Sequence, residues 1–176
     1  MTAEVISAFN NATTVLFVAN TGTDRVVKIP VMPSMSGPVA DAKNISVFVN
    51  SINGADGLII DEHDNLWVAA NQADEIVVVD PTGRAIAKLG DFDGIDRRRR
   101  PRGLLFPASL VRHGEFIYVT NLAIDLRIFD DPATPTLTNG TVDSQWAAEV
   151  KAHTVSKIRA RIPQVQGLSM DDETDD

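Results

Sequence analysis

The chain has 176 residues, of which 16 are basic and 24 are acidic, so its net charge is −8 at neutral pH. Apolar residues make up 44% of the sequence, which is enough for one folded domain with its own core. The absence of cysteine excludes disulfides, thiolate zinc sites and a cysteine nucleophile. The acidic balance argues against a nucleic-acid partner. No apolar stretch reaches the length of about 18 residues that a membrane helix needs, and no signal peptide is readable. We therefore expect a soluble chain without a membrane partner and leave its compartment open.

Three segments of the chain share one pattern, in which an apolar strand is followed by a short turn and a second apolar strand. Aligned on Leu16, Leu66 and Ile117, they recur at steps of 50 and 51 residues. Repeats of this length, with four short antiparallel strands each, are typical of β-propeller blades. The sequence therefore predicts an all-β propeller. Its repeat units cover about residues 1–50, 51–101 and 102–162.

The first two units are predicted to differ mainly in one loop. In the first unit, a loop rich in proline and glycine at residues 30–44 separates two strands from an outer strand. These strands are predicted at residues 15–20, 25–29 and 45–49. The second unit contains four strands, at residues 57–60, 66–70, 75–80 and 84–89. A β-turn with the sequence DPTG at residues 80–83 joins its last two strands.

The third unit carries the largest insertion. Strands are predicted at residues 104–106, 116–121 and 126–130, and a short helix follows at 144–152. Residues 156–162 alternate between apolar and basic side chains, which predicts an edge strand with one basic face. The acidic segment 163–176 is expected to be disordered.

The length allows about three to three and a half units, whereas closed propellers have about four to eight blades. We therefore expect either a piece of a larger propeller or closure by self-association with another copy. The first unit begins in mid-strand at Met1, which favours missing amino-terminal blades.

One segment points to a family. Residues 54–69 read GADGLIIDEHDNLWVA and closely resemble a segment of the regucalcin/gluconolactonase/luciferin-regenerating-enzyme family. The match continues at residues 75–83 and 117–120, so it covers about residues 50–125. NHL-type and strictosidine-synthase-like propellers share a looser form of this pattern. The resemblance implies roughly the carboxy-terminal half of a six-bladed propeller. Such a propeller would hydrolyse a small-molecule lactone at one divalent metal, calcium or zinc, on its axis.

Asp56 matches the aspartate of this family, which implies that it is both a metal ligand and the catalytic base for the attacking water. A carboxylate at the start of an innermost strand is expected to point into the central channel. The family's asparagine ligand is expected one repeat earlier, where Ile6 stands, or Val5 or Ser7 after a slip of one residue. The glutamate ligand would precede Met1, so the other metal ligands are missing from this chain.

Asp56 also has a purely structural interpretation, because an aspartate before a glycine at a strand entrance often caps a turn. The position that matches Asp56 in the third unit is Pro107, which has no ligating side chain.

The remaining candidates have structural interpretations too. The three histidines, His63, His113 and His153, have no metal-binding spacing and are predicted to be solvated turn residues. The basic run at residues 97–102 could grip a polyanion, but its acidic neighbours favour an exposed loop. Phe17 and Trp67 share one repeat position and are predicted to pack between blades.

Three functions follow from these observations. The first is a metal-dependent lactone hydrolase, as a fragment with weak or no activity alone. The second is a non-catalytic, NHL-like propeller module that binds a protein or a small ligand. The third is a truncated gene product without activity.

Overall fold

The computed structural model of the chain describes residues 5–10, 12, 14–32, 34, 37, 39–129 and 144–162. Three antiparallel sheets follow one another along these residues, and a two-stranded hairpin lies between the second and the third. The predicted all-β fold is confirmed, although the first and third sheets have five and three described strands instead of the four expected of each blade. The acidic segment 163–176 and the start of the chain at Met1 lie outside the described residues.

The first sheet has five strands in the described part of the chain. They are β1 (Val5–Phe9), β2 (Val15–Asn20), β3 (Arg25–Met32), β4 (Val39–Ala40) and β5 (Ser46–Asn50). β3 pairs with β2, with β5 and, through its last two residues, with β4. The predicted outer strand at residues 45–49 is therefore confirmed as β5.

The second sheet has the four strands that the sequence predicts, in the order of the chain. They are β6 (Ala55–Ile60), β7 (Leu66–Ala70), β8 (Glu75–Val79) and β9 (Ala85–Leu89). The turn between β8 and β9 forms because the Asp80 carboxylate accepts hydrogen bonds from the backbone amides of Thr82 (2.9 Å) and Arg84 (3.0 Å).

The hairpin and the third sheet differ in part from the prediction. The hairpin is formed by β10 (Phe92–Ile95) and β11 (Pro101–Gly103). The third sheet is formed by β12 (Pro107–His113), β13 (Phe116–Asn121) and β14 (Val155–Arg159). The predicted inner strand at residues 104–106 is wrong, since these buried residues precede β12. A short helix, α1 (Ser144–Ala147), lies within its predicted range.

The predicted strand at residues 126–130 is also wrong. Leu126–Phe129 forms a 3₁₀ turn, because Oδ1 of Asp125 accepts the backbone amide of Arg127 at 3.0 Å. β14 instead pairs directly with β13, and it carries the predicted alternation. Ile158 packs on the core, while Lys157 and Arg159 are exposed.

The sheets pack face to face through two apolar clusters. Phe17 of the first sheet is buried against the second sheet, and Trp67 of the second is buried against the third. The prediction that this repeat position packs between blades is therefore confirmed. The inner strands run very close together: a Cβ atom on Gly57 would lie 2.2 Å from the carbonyl oxygen of Ala108 in β12. Among the described residues, no helix is long and apolar enough to span a bilayer.

Candidate functional site

Asp56 is the second residue of β6, the inner strand of the middle sheet, and its exposed fraction is only 7%. The pairing of β6 with β7 shifts between Ala55 and Leu58, so Asp56 and Gly57 together oppose a single residue, Ala69. This is a β-bulge, which turns a side chain away from the regular alternation of the strand. The bulge therefore sets Asp56 apart from Ala55 and Leu58, which both pack toward the first sheet.

One partner of Asp56 is Asn71, in the 3₁₀ turn that follows β7. Nδ2 of Asn71 donates a hydrogen bond to Oδ2 of Asp56 over 3.4 Å. Asn71 is 3% exposed, and its Oδ1 is a buried oxygen without a hydrogen-bond donor among the described residues. Sequence reasoning missed Asn71, because the two residues are 15 positions apart and meet only through the pairing of β6 with β7.

The turn before β6 obtains its hydrogen bonds from other groups. The backbone amide of Gly54 donates to Oδ1 of Asp24 in the first unit at 2.7 Å. The amide of Ala55 donates to the carbonyl oxygen of Ile52 at 3.0 Å. Gly54 itself has a φ of 67°, a conformation that glycine adopts easily. The turn is therefore held in part by the carboxylate of Asp24 and the carbonyl oxygen of Ile52.

The strand register identifies the residues that correspond to Asp56 in the other two units. Ile6 pairs with Ala19 of β2 and stands in the place expected from the sequence. In the third unit, the expected match at Pro107 is wrong. Pro107 pairs with Asn121 as Ala55 pairs with Ala70, so Ala108 is the residue that corresponds to Asp56. The cause is a difference in hairpin length. The paired residues Pro107 and Asn121 are separated by one residue fewer along the chain than the paired residues Ala55 and Ala70.

A divalent metal does not find a full set of ligands here. Within the part of the chain that the structure describes, no three histidine or acidic side chains converge. The donors at the site are the carboxylate of Asp56 and the amide oxygen of Asn71. Calcium in proteins takes about six to eight oxygen ligands, and zinc takes about four ligands. The residues present therefore do not fit a tightly bound calcium or zinc ion.

Asp61, another buried carboxylate of the second sheet, has a structural role. Asp61 follows β6 and accepts hydrogen bonds from the backbone amides of His63 and Asn65, both at 2.9 Å, and from Nε1 of Trp67 at 2.9 Å. Burial raises the pKa of this carboxyl, but these hydrogen bonds together hold its pKa below the ordinary value. Asp61 thus stays ionised and ties the turn to the indole ring.

The histidines are exposed, whereas the basic run is only in part the expected loop. His63, His113 and His153 lie in a turn, at the end of β12 and shortly before β14. Residues 97–100 form the exposed turn of the β10–β11 hairpin, where Arg100 binds the carboxylate of Asp96 at 2.7 Å, and residues 101–102 belong to β11. The hydrogen bond from Arg100 lowers the pKa of Asp96, so this part of the run is neutralised within the hairpin.

A concave feature lies beside the entrance to β6. It is an open cleft of about 550 Å³ that is lined by six residues with polar side chains. The lining residues are Thr23, Asp24, Arg25, Asn50, Ser51 and Asn53. Asp56 is not among them, so the cleft and the buried carboxylate are separate features.

Comparisons with known proteins agree with this fold. Residues 7–90 match the family model described as the SMP-30/gluconolactonase/LRE-like region, which confirms the family resemblance predicted from the sequence. A search of curated protein sequences finds no match.

Three solved structures are similar to the chain. The calcium-binding regucalcin from Agrobacterium tumefaciens matches 74% of the chain with 19% identity and a TM-score of 0.52. A luciferin-regenerating enzyme matches 86% with 21% identity and a TM-score of 0.55. A gluconolactonase from Xanthomonas campestris matches 88% with 16% identity and a TM-score of 0.54. The chain spans only 41% to 43% of the length of these structures, and at such identities they establish the propeller fold alone.

Proposed function

We propose that this chain, whose residues 7–90 match the SMP-30/gluconolactonase/LRE-like region, is part of a lactone-hydrolysing propeller and has weak or no activity alone. One observation carries the proposal. Asp56 is a buried carboxylate in a β-bulge at the entrance of an inner strand, beside the unsatisfied amide oxygen of Asn71. A buried polar atom without a hydrogen-bond partner calls for an explanation such as a catalytic role, and β-bulges are over-represented next to active sites. The gluconolactonase among the similar structures supports the class of reaction.

Asp56 is suited to the role of general base. In lactone hydrolysis, a water oxygen forms a bond to the carbonyl carbon while the water proton passes to a base. The bond between that carbon and the ring oxygen then breaks, and the ring oxygen takes up a proton, so that a hydroxy acid is released. A carboxylate within hydrogen-bond reach of the water can accept and return this proton. The hydrogen bond from Asn71 orients the carboxylate for this role.

The oxyanion of this reaction needs a stabilising partner. The negative charge that develops on the carbonyl oxygen needs positive charge or several preorganised donors, and this contribution is usually the largest in catalysis. A bound cation would supply such charge, and the regucalcin among the similar structures is a calcium-binding protein. Because Ile6 and Ala108 occupy the positions equivalent to Asp56, the described part of the chain offers too few oxygen donors to hold one. Weak activity is the expected consequence.

The open polar cleft supports a second candidate function. Its six polar residues could hydrogen-bond a small polar ligand without any chemical reaction, as in a non-catalytic propeller module. Ligand binding of this kind would depend on Arg25 and Asn50, not on Asp56.

Hydrolysis of gluconolactone, followed by acid release at constant pH, separates these functions. We expect rates within a few-fold of the uncatalysed reaction, with or without calcium or zinc. Any excess over background should be lost in Asp56→Asn and kept in Asp80→Asn, which changes an exposed turn carboxylate of the same sheet. Rapid hydrolysis by the chain alone would show that the site is not deficient. Hydrolysis that survives Asp56→Asn would show that Asp56 is not the base.

A further inference from the structure

The contact between the first and second sheets and the contact between the second and third sheets are formed by side chains at the same repeat positions. Each sheet presents one face to the sheet before it and the other face to the sheet after it. Leu66 and Val68 of β7 face the first sheet and are 1% and 0% exposed. Ile117 and Val119 of β13 face the second sheet at the same repeat positions and are also 1% and 0% exposed. The equivalent side chains in the first sheet are Leu16 and Val18.

A hydrogen bond repeats with this packing. The carboxylate of Asp24 accepts the amide of Gly54 at the entrance to β6, over 2.7 Å. The carboxylate of Asp74, 50 residues later, accepts the amide of Phe106 before β12, over 2.6 Å. Each sheet therefore docks on the next in one way, and the sequence repeats this aspartate a third time at Asp125.

The outward face of the first sheet has apolar residues at the positions that, in the second and third sheets, contact the preceding sheet. Leu16 and Val18 are only half-buried, although their equivalents in the other two sheets are fully buried. Phe9 pairs with Leu16, and Val47 pairs with Val27, so both lie on this same face. Phe9 is 46% exposed and Val47 is 45% exposed, which leaves a contiguous apolar surface open.

The outward face of the third sheet is mixed: aromatic and apolar side chains lie beside the exposed Lys157 and Arg159 of β14. Tyr118 occupies the repeat position at which Phe17 and Trp67 pack into the following sheet. Val111 pairs with Tyr118 and is 60% exposed. Lys157 lies over the ring of Phe116 at 3.8 Å on this face, so a cation lies among the apolar side chains.

We propose that the outward face of the first sheet docks on the outward face of the third sheet of a second copy of this chain. A second copy is the partner that presents both faces at once. Two such contacts, related by a twofold axis, would join the three sheets of one copy to the three sheets of the other in a closed ring of six. That number lies within the usual range of about four to eight blades. The contact is heterologous, and closure after two copies keeps it from forming a filament.

The new contact would continue an established one, because it repeats the two junctions already present between neighbouring sheets of the chain. The proposal does not rest on lactone hydrolysis, since its readout is molecular mass.

Sedimentation velocity of the full chain and of three variants tests the proposal. Phe9→Glu places a charge on the outward face of the first sheet, here called the first face. Val111→Glu places a charge on the outward face of the third sheet, here called the third face. Val39→Glu is the matched control, because Val39 is about as exposed as Phe9, at 49%. Val39 lies on β4, which pairs with Val31 and Met32 at the end of β3, and this end lies beyond the part of β3 that pairs with β2. We expect wild type and Val39→Glu to sediment at twice the chain mass, and each of the other two variants to sediment as a monomer.

Mixing the two monomeric variants provides the sharper result. Phe9→Glu keeps an intact third face and Val111→Glu keeps an intact first face, so an equimolar mixture should recover dimers through one contact. A wild-type monomer at tens of micromolar would overturn the proposal, because these faces would then be covered by another segment or another protein. Dimers of either single variant alone, a mixture that stays monomeric, or open-ended assemblies of wild type would also overturn it.

Discussion

Replacing Asp61 with alanine should destabilise the fold far more than replacing Asp80, although both carboxylates close a turn of the second sheet. Asp61 is 6% exposed and accepts four hydrogen bonds, from two backbone amides and from the side chains of Asn65 and Trp67. Its removal would leave the buried indole Nε1–H of Trp67 and the Asn65 amide without an acceptor. Asp80 accepts a similar number of bonds from Thr82 and Arg84, but in an exposed turn.

The magnitude follows from this difference in burial. A hydrogen bond to a charged group contributes about 1.5–3 kcal/mol, and an unsatisfied buried donor costs about 1–3 kcal/mol. Because the four bonds are not additive, we expect Asp61→Ala to lose about 3–5 kcal/mol of unfolding free energy. Asp80→Ala should lose about 1 kcal/mol or less, since water replaces the carboxylate.

Thermal unfolding, followed by circular dichroism at one protein concentration, measures both variants. For a domain of this size, each kcal/mol lowers the Tm by about 2–4 °C, so Asp61→Ala should melt about 10 °C below wild type. Asp61→Asn should recover part of the loss, because its amide oxygen can still accept two of the donors. Equal losses in Asp61→Ala and Asp80→Ala would refute the argument that burial sets the magnitude.

Two further predictions concern packing and pH. Gly57→Ala should prevent normal assembly of the inner strands, because its Cβ would meet backbone atoms of β12 at 2.2 Å. Gly22→Ala, whose nearest contact would be 3.7 Å, should melt within about 2 °C of wild type. Since the pKa of Asp61 is lowered in the fold, its ionised form stabilises the protein above about pH 4, its unfolded pKa. That contribution should be lost as the pH falls through the folded pKa, so the difference in Tm between wild type and Asp61→Asn should shrink below pH 4.

The repeat could be predicted from the sequence because each unit keeps the same apolar spacing over a full blade. That spacing located β7, β8 and β13 to within about one residue. It failed at residues 126–129, where the Asp125 carboxylate accepts a hydrogen bond from the backbone amide of Arg127 and this local turn outweighs the strand propensity of Ile128 and Phe129. The β10–β11 hairpin was also missed, because the arginine-rich run has no apolar alternation to indicate strands.

The site was predictable only in part. Asp56 could be located because the motif around it is local in sequence. The shift from Pro107 to Ala108 could not be found, since counting residues does not detect a hairpin shorter by one residue. Asn71 could not be found either, because its contact with Asp56 depends on how β6 pairs with β7 around the bulge.

We propose that Asp56 lies at a cation-binding position to which the described residues supply too few ligands. Calorimetric titration with calcium, together with amide chemical shifts by NMR, tests it most directly. We predict a Kd of about 1 mM or weaker, with shifts centred on Asp56 and Gly57 that vanish in Asp56→Asn and persist in Asp80→Asn. Micromolar binding, or shifts that survive Asp56→Asn, would contradict the account.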